Sequence, residues 1–276
     1  MSHLMNNYGR LPVSFDHGQG VWLWDKEGHK YLDALAGIAV NSVGHAHPRL
    51  VRAIADQASK LIHCSNYFNI DLQEKVAEKL VEHSGLEAVF FCNSGLEANE
   101  CAIKIARKFG HAKGIEVPNI IVLKHAFHGR SIATLSATGN PSVREDFSPY
   151  TEGFIFVDES DLDGIRKIVE ENKNVVAIFF EPILGEGGVV PIDLSVIKGI
   201  REICDEHDLL MMCDEVQCGM GRSGKWFAHQ WAEIKPDVIT MAKGLAGGVP
   251  VGAVIVSEKA NIFKPGNHGS VSYTHL

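Results

Sequence analysis

The sequence predicts an α/β protein with a mostly parallel central sheet and helices on both of its faces. Three observations carry this expectation. From about residue 87 the chain alternates short apolar runs with segments of helical periodicity. The runs are apolar on both faces, as strands buried between two helical layers are. The segments between them, such as LEANECAIKIARKFG and DLSVIKGIREICDEHD, are long enough to cross back from one parallel strand to the next.

In chain order, GVWLWDKEGHKYLD (20–33) reads as a hairpin turning at Asp25–Gly28. Two helical patterns follow. Leu50, Ile54, Ala58 and Leu61 share a face in the first, and Leu72, Val76, Leu80 and Val81 do so in the second. The strand candidates are AVFFC (88–92), NIIVLK (119–124), GFIFVD (153–158), VVAIFF (175–180), LLMMC (209–213), DVITMA (237–242) and VGAVIV (251–256).

Composition narrows the function. The chain has 276 residues, 45% hydrophobic and 22% charged, which is ordinary for a globular protein with a sizeable core. A net charge of −8 without a basic block argues against nucleic-acid or anionic-membrane partners, which require clustered Lys and Arg. The six cysteines form no C-x-x-C pair and lie mostly in apolar stretches, so neither disulfides nor zinc are expected. MSHLMNNYGR lacks the apolar core of a secretory signal, and the longest apolar runs are too short to span a bilayer. A reducing, cytoplasmic setting is the expectation.

In open α/β sheets ligands bind beyond the carboxyl ends of the strands. Five of the strand candidates end there on polar groups and glycines: Asn93-Ser94-Gly95, His125 to Arg130, Glu181-Pro182 with Gly185 to Gly188, Asp214 to Gln217, and Lys243-Gly244. Each alone reads as a turn or a helix cap. Together on one edge they describe an active site. Ser94-Gly95 opens a helix, whose free N–H groups suit a phosphate. Phe127 offers a flat face. Asp214 after a very apolar run requires a cationic partner, and Lys243 is an amine near that acid. Phosphate, an aromatic ring with a cationic nitrogen, and a carbonyl for lysine together describe pyridoxal 5′-phosphate.

With these residues in view, the chain resembles the class III (fold type I) pyridoxal-phosphate aminotransferases from about Leu11 to Gly269. The segments that carry the likeness include YLDALAGIAVNSVGHAHP, FCNSGLEANECAIKIAR, HAFHGRSIATLSATGNP, EPILGEGGVVP, LLMMCDEVQCGMGRSGKWFAHQ and PDVITMAKGLAGGVPVGA. Within the family it is most similar to the enzymes acting on N2-acetylornithine.

The resemblance implies roles position by position. Backbone groups at Ser94, Gly95 and Leu96 hold the phosphate, and Phe127 stacks on the ring. Asp214 pairs with the ring nitrogen, Gln217 reaches the ring hydroxyl, and Lys243 bonds the cofactor's carbonyl. Arg130 binds a substrate carboxylate, and Glu186 helps the site accept both an ω-amine donor and a dicarboxylate. Asp214 and Lys243 are the expected catalytic pair. The implied reaction moves the ω-amine of N2-acetyl-L-ornithine to 2-oxoglutarate, giving N-acetyl-L-glutamate 5-semialdehyde and L-glutamate, a step of arginine biosynthesis in a cytoplasmic homodimer. Succinylornithine, succinyl-diaminopimelate and free ornithine are alternative substrates.

Competing motifs carry less. Gly219-x-Gly221-x-x-Gly224 fits a dinucleotide fingerprint, yet no clear apolar-periodic helix follows it, so a nicotinamide oxidoreductase is a distant alternative. His45-x-His47 and His125-x-x-His128 lack a third ligand nearby, so no metal is expected.

The likeness breaks at the carboxyl end. Ser270 is the last position that carries over and is expected on the substrate side; SVSYTHL departs from the family pattern. Residues 1–50 are expected to contribute to a small domain, 51–270 to form the cofactor-binding domain, and 271–276 to be an artefactual tail. On this expectation the chain is a C-terminally truncated enzyme, inactive alone.

Overall fold

A computed structural model describes residues 3–269. Three antiparallel strands come first: β1 (Phe15–Gln19), β2 (Trp22–Asp25) and β3 (Lys30–Leu32). The hairpin expected over 20–33 is β2–β3, and β1 was not foreseen because FDHGQ carries no apolar run. The buried Asp25 makes the turn by accepting bonds from the Glu27 and His29 amides at 3.1 and 2.8 Å.

Next come α1 (Pro48–Ala58) and α2 (Asp71–Ser84), the latter stopped by Gly85 at φ 67°. Their apolar faces are only partly buried. Leu80 is covered, whereas Leu72 and Val76 stay exposed and line an open groove with Leu50, Ile54, Phe91 and Leu245.

The central sheet has seven strands: β4 (Ala88–Cys92), β5 (Asn119–Leu123), β6 (Phe154–Val157), β7 (Val175–Phe180), β8 (Leu210–Asp214), β9 (Val238–Met241) and β10 (Gly252–Val256). Their spatial order is β4-β10-β9-β8-β7-β5-β6, with every pairing parallel except those of β10. Each expected strand is present, shortened or shifted by a residue where its ends meet turns. Asp214 closes β8 rather than following it.

Helices α3 (Gly95–Ala112), α5 (Leu162–Glu171) and α6 (Leu194–Glu206) cover the two faces; the short α4 (Ile132–Ala137) lies between β5 and β6 in sequence. On one face Ala98, Ala102 and Ala106 of α3, four residues apart and fully buried, bring that helix down onto Val122, Phe179 and Met212. On the other, Ile165 of α5 and Ile197, Ile200 and Ile203 of α6 pack on Ile121, Ile178 and Met211. Adjacent strand residues thus serve opposite layers, which is why the runs had to be apolar throughout. Each such side chain, fully buried, contributes about 1.5–3 kcal/mol.

Candidate active site

The sheet's carboxyl edge gathers most of the expected residues. Asp214 stands at the end of β8 in register with Thr240 of β9, and Lys243 follows three residues later. Parallel pairing therefore sets the acid and the amine at neighbouring strand ends.

Asp214 is 2% exposed. Oδ2 accepts from Asn99 Nδ2 at 2.7 Å and from His128 Nδ1 at 2.8 Å, while Oδ1 accepts from the Val216 amide at 3.0 Å. Three donors offset the desolvation of the charge and fix the carboxylate's plane. Glu215, the next residue, faces the other way and is held by the Ala228 and His229 amides at 2.7 and 2.8 Å. Of the two adjacent acids, Glu215 thus anchors the backbone at 228–229, while Asp214 closes β8 at the carboxyl edge.

Lys243 is half-buried, at φ 42°, and forms no ion pair among the described residues. Burial holds its ammonium below the ordinary lysine range, against the pull of Asp214 and Glu181. Its loop is closely packed: a Cβ at Gly244 would lie 2.6 Å from Ser42 Oγ, and one at Gly248 would lie 2.9 Å from Asn41 Oδ1. The Asn41–Ser42 segment follows a left-handed stretch, Ala36 to Ala39, with φ between 52 and 66°. Such a run is unfavourable for residues with a Cβ, and it delivers the N-terminal part of the chain onto the lysine loop.

Ser94 caps α3, its hydroxyl accepting the Glu97 amide at 3.2 Å. The N–H groups of Gly95 and Leu96 lie in the first turn, where a helix has no acceptor of its own. Gly95 admits no side chain, since a Cβ would lie 2.6 Å from Val216 Cγ1. The helix start is therefore pressed against the segment that carries Asp214 and Gln217.

Phe127 is half-buried, and the exposed Arg130 guanidinium lies 5.9 Å from its ring centroid. Gln217 is half-buried against Gly185, and Glu186 is exposed on the adjoining loop. Ser270 and the 271–276 tail lie outside the described residues.

Three residues of this edge were not singled out as site residues from the sequence. His128 stacks on Phe179 at 4.0 Å, and its Nε2 is buried without a partner, as is Asn99 Oδ1. Glu181, 5% exposed, accepts from the Phe127 amide at 2.8 Å and the Gly185 amide at 3.1 Å. Burial and the charge of Asp214 push its carboxyl up to about 7. Glu181 and His128 both stood in the polar strand-end segments read from the sequence, without a role assigned to either; Asn99, inside α3, carried no such signal.

These residues fit pyridoxal 5′-phosphate. A fixed buried anion suits a cationic ring nitrogen, a desolvated amine suits a carbonyl, and a glycine-opened helix suits a phosphate. Among the described residues, no three His, Cys, Asp or Glu side chains cluster to hold a metal, and no helix is long and apolar enough to cross a membrane.

Comparison with known proteins agrees with this chemistry. The family description "Aminotransferase class-III" matches residues 4–273. The acetylornithine aminotransferase of Nitrosomonas europaea is 54% identical over 271 residues, covering 98% of this chain and 69% of that protein. The N-acetylornithine aminotransferase of Stenotrophomonas maltophilia superposes with TM-score 0.80 at 39% identity, over 92% of this chain and 64% of that one. The ornithine aminotransferase of Toxoplasma gondii, in a structure with partial occupancy of PLP at its active site, superposes with TM-score 0.93 at 34% identity. There 99% of this chain covers 65% of the other, so the chain spans about two thirds of the length of these relatives.

Proposed function

We propose, for a chain that belongs to the class-III aminotransferase family, that it transfers the ω-amino group of N2-acetyl-L-ornithine to 2-oxoglutarate with pyridoxal 5′-phosphate as cofactor. The observation that carries the chemistry is the buried, thrice-bonded Asp214 beside a desolvated Lys243 on adjacent strand ends. The substrate is taken from the names of the close relatives. The products are N-acetyl-L-glutamate 5-semialdehyde and L-glutamate, which makes this a step of arginine biosynthesis.

The cofactor supplies a carbonyl that an amine can bond and a ring into which negative charge at the reacting carbon spreads. Each residue then has a task. Burial holds the Lys243 ammonium below the usual lysine range, which favours the neutral amine, and Nζ would move the proton at the reacting carbon as base and then acid. Asp214, its carboxylate aligned by three donors, would stabilise positive charge on the ring nitrogen. The Gly95 and Leu96 amides, with Ser94, take the phosphate. Phe127 would cover the ring, and Gln217 would bond its hydroxyl. Arg130 offers a planar fork to a substrate carboxylate, and Glu186 is exposed on the loop after β7.

On this proposal residues 1–50 belong to a small domain and 51–270 to the cofactor-binding domain, and the working enzyme is a cytoplasmic homodimer. Free ornithine is the second reading, favoured by the structural likeness to an ornithine aminotransferase. The test assays glutamate formation from 2-oxoglutarate with N2-acetylornithine, N2-succinylornithine, succinyl-diaminopimelate and ornithine. It uses this chain alone and joined to the remaining carboxyl-terminal part of the Nitrosomonas europaea relative. Highest kcat/KM with N2-acetylornithine supports the proposal; preference for ornithine replaces it.

A further inference from the structure

We propose that Glu181 is a positioning residue of this site: its single carboxylate locks the Phe127 segment and the Gly185 loop into one mutual geometry. The inference rests on the functional reading above.

An acid at the end of a wholly buried strand is costly unless its oxygens are bonded. Glu181 pays that cost without an ion pair among the described residues. Oε1 accepts from Phe127 N at 2.8 Å and Oε2 from Gly185 N at 3.1 Å. The two amides belong to different loops, after β5 and after β7, and one carboxylate joins them.

What hangs on each amide gives the clamp its purpose. Phe127 is the proposed ring-covering side chain, with the Arg130 guanidinium 5.9 Å from its centroid. Gly185 has no room for a Cβ, which would fall 1.9 Å from Gln217 Oε1. A shift of Gly185 therefore releases the Gln217 amide, and Glu186 is the next residue. Through two hydrogen bonds Glu181 sets the relative placement of the ring-stacking, ring-hydroxyl and carboxylate-binding groups.

A glutamine would not do the same, because its NH₂ would face one of the two backbone donors. The groups facing Glu181 are Asp214, which repels its charge, and His128 and Lys243, which favour it. Its carboxyl, pushed up to about 7, leaves the carboxylate with both bonds above that pH. Protonation below it withdraws an acceptor and loosens the clamp.

Amide hydrogen exchange of the pyridoxal-phosphate-loaded chain tests this. Glu181→Gln should accelerate exchange at Phe127 or Gly185 by about tenfold or more, as loss of a bond to a charged acceptor implies. Met211 to Cys213 should exchange as before. The dichroism of the bound cofactor should weaken at the same time, because the groups that orient its ring have loosened. Unchanged exchange at both amides, or faster exchange with unchanged dichroism, overturns the proposal. Should the variant lose its fold, so that Met211 to Cys213 also exchange freely, the unaltered chain decides. There the Phe127 and Gly185 amide shifts should titrate with one midpoint shared by the Glu181 carboxyl carbon, and separate midpoints refute the clamp. If pyridoxal phosphate does not bond Lys243 at all, the functional reading fails, while the amide titration still judges Glu181.

Discussion

His128 and Asp214 meet at the carboxyl edge of the sheet, Nδ1 to Oδ2 at 2.8 Å, with both side chains buried. Because the carboxylate only accepts, Nδ1 must carry the proton, and the imidazole donates. The ring lies flat on Phe179, so its orientation is set by packing as well as by the bond.

His128→Phe keeps the stack and removes the donor. It also removes the unpartnered Nε2, which offsets part of the loss. We expect a net destabilisation of about 1–2 kcal/mol in urea unfolding, in the range for a bond to a charged group less that relief. Stability equal to that of the unaltered chain would show that the pair contributes nothing.

Asp214→Asn tests the charge itself. The amide's NH₂ would face either the Val216 donor, losing one of Asp214's bonds, or the Asn99 and His128 donors, losing two, and the negative charge goes in both cases. The variant should still bind pyridoxal phosphate through Lys243. The rate of proton transfer, read by loss of deuterium from the substrate's reacting carbon, should fall about a hundredfold or more. A near-normal rate would remove Asp214 from the reaction.

The Asp214–Lys243 pair was legible in the sequence because both residues close apolar runs, and a parallel sheet sets such ends side by side. Asn99 was not legible. It sits within α3 among Glu97 and Glu100 and reads as part of a polar helix face, yet reaches Asp214 across 115 residues of chain. Glu181 was visible as an acid after a buried strand, but its two amide partners follow only from how the loops fold. The apolar faces expected for α1 and α2 are met only in part: α1 ends at Ala58, so Leu61 falls outside it, and Leu61, Leu72 and Val76 are exposed, because periodicity does not say what covers a face. Arg130 and Glu186 are also exposed, so their proposed roles depend on substrate rather than on any contact between them.

Gly252 tests the geometry of the phosphate end. A Cβ there would lie 2.3 Å from the Ser94 carbonyl oxygen, with the strand buried on both sides. Gly252→Ala should cost about 1–3 kcal/mol, as overpacking does, and should weaken pyridoxal-phosphate binding by shifting the helix start. Gly9, with nothing within 4 Å of a built Cβ, is the control, and Gly9→Ala should stay within about 0.5 kcal/mol. Equal effects at the two glycines would contradict the packing described for Ser94.

The measurement that tests the account most directly is borohydride reduction of the chain loaded with pyridoxal phosphate, followed by peptide mass mapping. Lys243 is half-buried, near Asp214 and Glu181, and below the ordinary lysine range. A single pyridoxyl group on the peptide spanning Met241 to Gly244 is the predicted result. A label on another lysine, with Lys243 unmodified, would contradict it.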